Sequence, residues 1–184
     1  MILGNNEITD LLRSGVVRTS PGSAVAVDIV SVTLHLDNSF LTYREYSEPV
    51  VPPADLPTEL TRVDDGDAFV LPPGGRVLAC TAEMIDMPLD LMGFVQTKGS
   101  LARGFLMVHM CDGQIDPGFR GKITLELANL SGFHYKLVPG MPIAQLLFAE
   151  LVSPVSQGYD GRYNQADVPV AMRSDKHEPD EEQT

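Results

Sequence analysis

The sequence predicts a mainly β domain, a sandwich or barrel with one short helix at its start. Three observations lead there. Helical periodicity is confined to the opening of the chain, short alternating apolar runs recur after it, and Gly- and Pro-bearing turns separate those runs at regular spacing. At 184 residues the chain is long enough to bury a real core as one domain.

The elements follow in order. In "NNEITDLLRS", Ile8, Leu11 and Leu12 recur at helical spacing, with Asn5 as the expected cap and Gly15 as the stop. "SVTLHLDNSFLTYR" alternates Val32, Leu34 and Leu36 against Thr33 and His35, the period of a strand. The segment from Glu48 to Asp67, rich in Pro and Asp, is expected to be a surface loop. "AFVLPPGGRVLACTAEMIDMP" carries two β-rich runs around Pro-Pro-Gly-Gly and predicts a hairpin. "GFVQTK", "FLMVHM", "GKITLELANL", "YKLV" and "PIAQLLFAELVSP" continue the strand pattern. Residues 1–170 are expected to form the domain and 171–184 an acidic, disordered tail, since "SDKHEPDEEQT" has almost nothing apolar.

Composition excludes several classes. A formal charge of -12 argues against sequence-independent nucleic-acid binding, which needs a basic surface. No apolar run is long enough to span a bilayer, and the N-terminus lacks a signal-peptide pattern, so a cytoplasmic, membrane-free protein is expected. Cys80 and Cys111 stand far apart, without a CxxC that would suggest a zinc ribbon or a disulfide framework. His35, His109, His134 and His177 show no metal-ligand spacing, and the H-x-E…P-C-x-x-C signature of zinc nucleobase deaminases is absent.

Two stretches hold candidate chemistry. In "KITLELAN", alternation turns Ile123, Leu125 and Leu127 one way and Thr124, Glu126 and Ala128 the other. Glu126 is then either a solvated surface acid or a carboxylate lining a pocket; partial desolvation suits a carboxylate to proton exchange near neutral pH. "TKGSLARGF" gathers Lys98, Ser100 and Arg103 around Gly99, an inventory for gripping phosphate oxygens without P-loop spacing. Asp116 in "QIDPGFRG" either opens a turn or faces a ligand.

Taken in order and spacing, "KGSLARGFLMVH", "IDPGFRGKITLELAN", "PGMPIAQLLF" and "GYDGRYNQ" resemble the dCTP deaminase branch of the trimeric dUTPase superfamily. The resemblance extends over most of residues 1–170 and is densest between Lys98 and Asn129. It implies a distorted β-barrel or jelly-roll of the dUTPase-like type, assembled as a homotrimer with active sites between subunits. The implied substrate is dCTP or a related pyrimidine deoxynucleotide, deaminated to dUTP and ammonia without zinc, with Mg²⁺ carried on the triphosphate. Some members go on to dUMP and diphosphate.

By the same resemblance Glu126 is the general base and proton shuttle, and Arg103 orients it. Lys98, Gly99, Ser100 and Leu101 form the phosphate-contacting loop, although the family usually has Arg at the position of Lys98. Asp116 matches the acceptor for the deoxyribose 3′-hydroxyl. Thr124, Leu125 and Gln145 match contacts to base and phosphates, and Tyr159, Arg162 and Gln165 fall in the closing C-terminal segment. Two departures surround the nucleophile: Gly99 replaces the first of two serines, and Asp112 stands where a small alanine is usual. Asp112 is therefore a candidate ligand of the attacking water. Two other readings stay open on the same residues: a diphosphatase using Asp116 without deamination, and a catalytically silent nucleotide-binding regulator.

Overall fold

The computed structural model describes residues 1–18 and 25–174. Helix α1, Asn5–Ser14, opens the chain with only Ile8 fully buried, and ends at Gly15 in the left-handed conformation expected of a stop. Asn5 is not its cap: Gly4 holds that position and offers no side chain to the first turn.

Eleven strands follow: β1 Val17–Arg18, β2 Val32–Tyr43, β3 Thr58–Arg62, β4 Phe69–Leu71, β5 Arg76–Asp86, β6 Leu91–Thr97, β7 Leu106–Met107, β8 Gln114–Ile115, β9 Arg120–Asn129, β10 Tyr135–Leu137 and β11 Pro142–Glu150. A one-turn helix α2, Gly99–Arg103, lies between β6 and β7. Nine strands form one antiparallel sheet in the order β7-β9-β5-β2-β11-β6-β8, with β1 on β5 and β3 on β2. It curls into the half-barrel of a dUTPase-like fold, as expected. Inside sit Leu34, Leu36, Phe40, Leu125, Leu127, Leu146 and Phe148, each no more than 1% exposed. Apolar side chains alternating on the long strands β2, β5, β6, β9 and β11 close one core, the main source of stability.

Four expectations need correction. The two runs around Pro72-Pro73-Gly74-Gly75 are both strands, but they do not pair as a hairpin: β4 joins β10 in a separate two-stranded sheet, while β5 lies between β2 and β9. Asn129, wholly buried, explains the divergence. Its backbone exchanges hydrogen bonds with Gly74 and Gly75, and its side-chain amide donates to the carbonyls of Leu71 and Phe133, so the turn is clamped to the end of β9. The Glu48–Asp67 loop contains β3, an edge strand on β2 whose "TELTR" buries no side chain and so carries no apolar alternation.

The strand expected over "FLMVHM" stops after Met107. Beyond it, side chains replace the ladder: Val108 N–H donates to Thr97 Oγ1 and Met110 N–H to Glu126. The fourth correction concerns "KGSLAR", which winds into α2 rather than lying open. Leu101 and Ala102 N–H both donate to the Lys98 carbonyl. At the other end, residues 171–174 remain against the domain through Met172 N–H to Tyr43 Oη and through Ser174 to Asp55; the expected tail from 175 onward lies outside the described residues.

Polar groups inside the sheet are paired. Lys122 and Asp37 form an ion pair at 2.7 Å, with side chains 20% and 14% exposed. Buried Glu83 accepts from His35 N–H at 2.9 Å and lies 2.7 Å from the ring Nδ1. Thr81, fully buried, donates to the Glu83 carbonyl and accepts from Ile123 N–H where the β5–β9 register shifts. Burial, reinforced by Asp37, pushes the Cys80 thiol from its ordinary 9.0 up to about 12.

Candidate active site

A cavity of about 920 Å³ lies over the β5–β9 face, lined among others by Glu126, Thr124, Asp112, Asp116 and Tyr159. Strand β9 builds its floor. Alternation buries Leu125 and Leu127 at 1% exposure and leaves Thr124 and Glu126 half-buried on the cavity side. Glu126 is therefore neither a solvated surface acid nor a core residue. Its Oε2 accepts from Met110 N–H at 2.8 Å, and its own N–H donates to the Val108 carbonyl. These two bonds tie the carboxylate to the loop that carries Asp112.

Asp116 opens the turn between β8 and β9. Its backbone carbonyl accepts from Phe119 N–H, and its carboxylate accepts from Gln114 Nε2 at 2.7 Å. The turn passes through Gly118, at φ +85°, where a Cβ would come within 2.5 Å of Gly158 Cα. Only glycine permits that approach, which lets Tyr159 N–H reach the Pro117 carbonyl and its ring tilt over Phe119 at 6.3 Å. The C-terminal segment then runs beside β9: Lys122 N–H donates to the Ala166 carbonyl and Val170 N–H to Thr124 Oγ1, and Val170 and Met172 join the lining.

The remaining candidates lie elsewhere in the chain. Lys98 Nζ donates to Thr33 Oγ1 at 2.8 Å and pairs with Asp28 at 3.3 Å. Gln145 and Asp28 line a second recess of about 590 Å³. Gly99 and Ser100 are exposed on α2, Leu101 packs against the core, and Arg103 donates back to the Gly99 carbonyl rather than to Glu126. Leu125 points into the core. Arg162 donates to the Arg173 carbonyl, and Gln165, at φ 59°, donates its N–H to the Arg120 carbonyl; neither lines the large cavity. Within one chain, then, the lysine–arginine helix does not line the cavity that holds the carboxylates.

Among the cavity residues not singled out from sequence are Tyr43, Arg76 and Met110. Met110 contributes a backbone donor, which leaves no mark in a residue pattern. Tyr43 and Arg76 reach the cavity through strand pairing that sequence alternation leaves open. Among the described residues, no three His, Cys, Asp or Glu side chains are grouped to hold a metal ion.

A family model described as dCTP deaminase-like matches residues 2–151. The chain belongs to the dCTP deaminase-like family. A protein of Halorubrum lacusprofundi named dCTP deaminase is 38% identical over 185 residues, covering 94% of this chain and 91% of its own. A Streptomyces griseus protein named dCTP deaminase, dUMP-forming, is 39% identical over 182 residues and covers 95% of both chains. Among solved structures, the 2'-deoxycytidine 5'-triphosphate deaminase of Agrobacterium tumefaciens superposes with a TM-score of 0.64 at 19% identity. That match covers 80% of this chain and 47% of that one, so it speaks to the fold alone. Within the matched span, the strand segment "TLEL" places Glu126 on the cavity floor.

Proposed function

We propose that this chain deaminates dCTP without zinc and then hydrolyses the product, so that dCTP and water give dUTP and ammonia, and dUTP and water give dUMP and diphosphate. The observation that carries the reading is Glu126: a carboxylate half-removed from water, facing a nucleotide-sized cavity and fixed by a backbone N–H. The relatives named dUMP-forming, from Streptomyces griseus and Halobacterium salinarum among others, support the second step.

In this reading Glu126 takes a proton from water as the oxygen adds to C4 of cytosine. It passes that proton to N3, then takes the remaining proton from the C4 hydroxyl and gives it to the departing amine, which leaves as ammonia while the C4 carbonyl forms. Asp112, on the loop whose Met110 N–H holds Glu126, accepts the second proton of that water as a hydrogen bond and so aims it. Asp116 holds the sugar and is placed to activate water toward the α-phosphate in the second step. The substrate arrives as the Mg²⁺ complex, which partly neutralises a triphosphate that must approach three carboxylates.

Lys98, Ser100 and Arg103 stand apart from their own chain's cavity, which supports a homotrimer in which α2 of one subunit completes the cavity of the next. Arg103 would then meet the neighbour's Glu126. A partner's contribution is the economical account of why half the expected set faces away.

Incubating the purified protein with Mg²⁺ and either dCTP or dUTP tests the reading. Ammonia and diphosphate from dCTP are expected, in equal amounts. Diphosphate from dUTP with no ammonia from dCTP reduces the protein to a diphosphatase, and tight binding with neither product makes it a regulator.

A further inference from the structure

Arg76 is the only positively charged side chain among the described residues lining the large cavity; the other charged groups there are Asp112, Asp116 and Glu126. It sits at the first position of β5, opposite Ala128, while Leu78 pairs with Glu126. Arg76 and Glu126 therefore share a sheet face as diagonal neighbours on adjacent strands, their backbones roughly 7 Å apart. Its Cα is held by the clamped turn: Gly75 N–H donates to the Pro72 carbonyl, and a Cβ on Gly75 would come within 2.8 Å of that oxygen.

Among the described residues the guanidinium has no protein partner. It forms no ion pair and no hydrogen bond among the described residues, although Glu126 is a diagonal neighbour; that carboxylate is bound instead to Met110 N–H. An exposed, unpaired arginine facing a cavity that otherwise carries three acids is placed to receive an anion. Without it, the only charged groups of the lining that a polyanionic ligand would meet are the three acids, which repel it.

We propose that Arg76 is a phosphate-binding residue of this cavity, the cation that each chain contributes to its own nucleotide site. The proposal rests on the nucleotide reading above and deepens it. Arginine suits the role because its planar fork takes two phosphate oxygens at once.

The test compares the intact protein with Arg76→Met and Arg76→Lys, titrated with dCTP, dCMP and deoxycytidine by calorimetry or NMR. Thermal melting first checks that each variant folds like the parent. Arg76→Met should weaken dCTP roughly 10- to 150-fold, the loss of one charge-assisted contact, and Arg76→Lys by less. Deoxycytidine, which has no phosphate, should bind all three proteins alike, and the salt dependence of dCTP binding should flatten in Arg76→Met.

An equal loss for deoxycytidine would put Arg76 on the base or sugar and overturn the assignment. Unchanged dCTP affinity in a parent that binds dCTP would remove Arg76 alone. A parent that binds none of the three ligands would instead overturn the nucleotide reading on which the proposal stands.

Discussion

Replacing Glu126 by glutamine separates chemistry from architecture. The amide has the carboxylate's shape, and its oxygen can still accept from Met110 N–H at the 2.8 Å seen for Oε2. What changes in the fold is a charged acceptor becoming a neutral one, a difference of about 1 kcal/mol. For a chain of this size that moves the melting temperature by about 2–4 °C. Glutamine, however, takes up no proton from water and passes none to N3 or the amine. General acid–base catalysis contributes roughly 10²- to 10⁴-fold, and with one carboxylate serving every transfer the loss belongs at the upper end. Ammonia release, followed by coupled reductive amination of 2-oxoglutarate, should fall about 10⁴-fold, while dCTP affinity measured by calorimetry stays within a few fold. Should Glu126→Gln deaminate at more than about a tenth of the parent rate, the proton shuttle lies elsewhere and the reading of β9 fails with it.

Lys122→Met leaves Asp37 charged and nearly buried, and should cost about 3–5 kcal/mol, seen as a fall of roughly 10 °C in the melting temperature. The doubly substituted Asp37→Leu/Lys122→Met protein should recover most of that. Iodoacetamide on the native protein at mildly alkaline pH should label exposed Cys111 and spare Cys80, read by peptide mass spectrometry; labelling of both at equal rates would contradict the buried thiol. Because the folded Cys80 keeps its proton to about pH 12, its contribution to stability is complete below pH 9.0 and drains away as pH climbs between those values, measurable by urea titration across that range. Gly118→Ala forces a Cβ against Gly158 Cα at a positive φ, and should destabilise by roughly 1–3 kcal/mol while weakening dCTP binding through the displaced Tyr159.

How much of this was legible in the sequence depends on how local each cause is. Helix α1 and the strands β2, β9 and β11 follow from apolar spacing within a few residues, and the face that carries Glu126 follows from period-two alternation alone. The link between Met110 and Glu126 joins residues sixteen apart through a main-chain donor, so nothing in residue type announces it. The failed hairpin has the same origin: Pro-Pro-Gly-Gly does turn the chain, but its partners were decided by Asn129, more than fifty residues later.

Register is where local reading ends and the cavity begins. Leu78 faces Glu126, and Arg76 faces Ala128, because Asn129 and Gly75 bond at one end of the β5–β9 pair. Nearer the other end, Thr81 absorbs the register shift between Cys80 and Met84 with its hydroxyl, taking Ile123 N–H and donating to the Glu83 carbonyl. A slip of one residue would turn Glu126 into the core and Leu125 out to the cavity, at the cost of burying an acid. The buried hydroxyl and the buried amide are therefore as much a part of the site as the carboxylate they aim. That is also why Lys98 through Arg103, the residues a motif names, do not line this chain's large cavity: a motif records residue types in order, and strand register decides which face each one occupies.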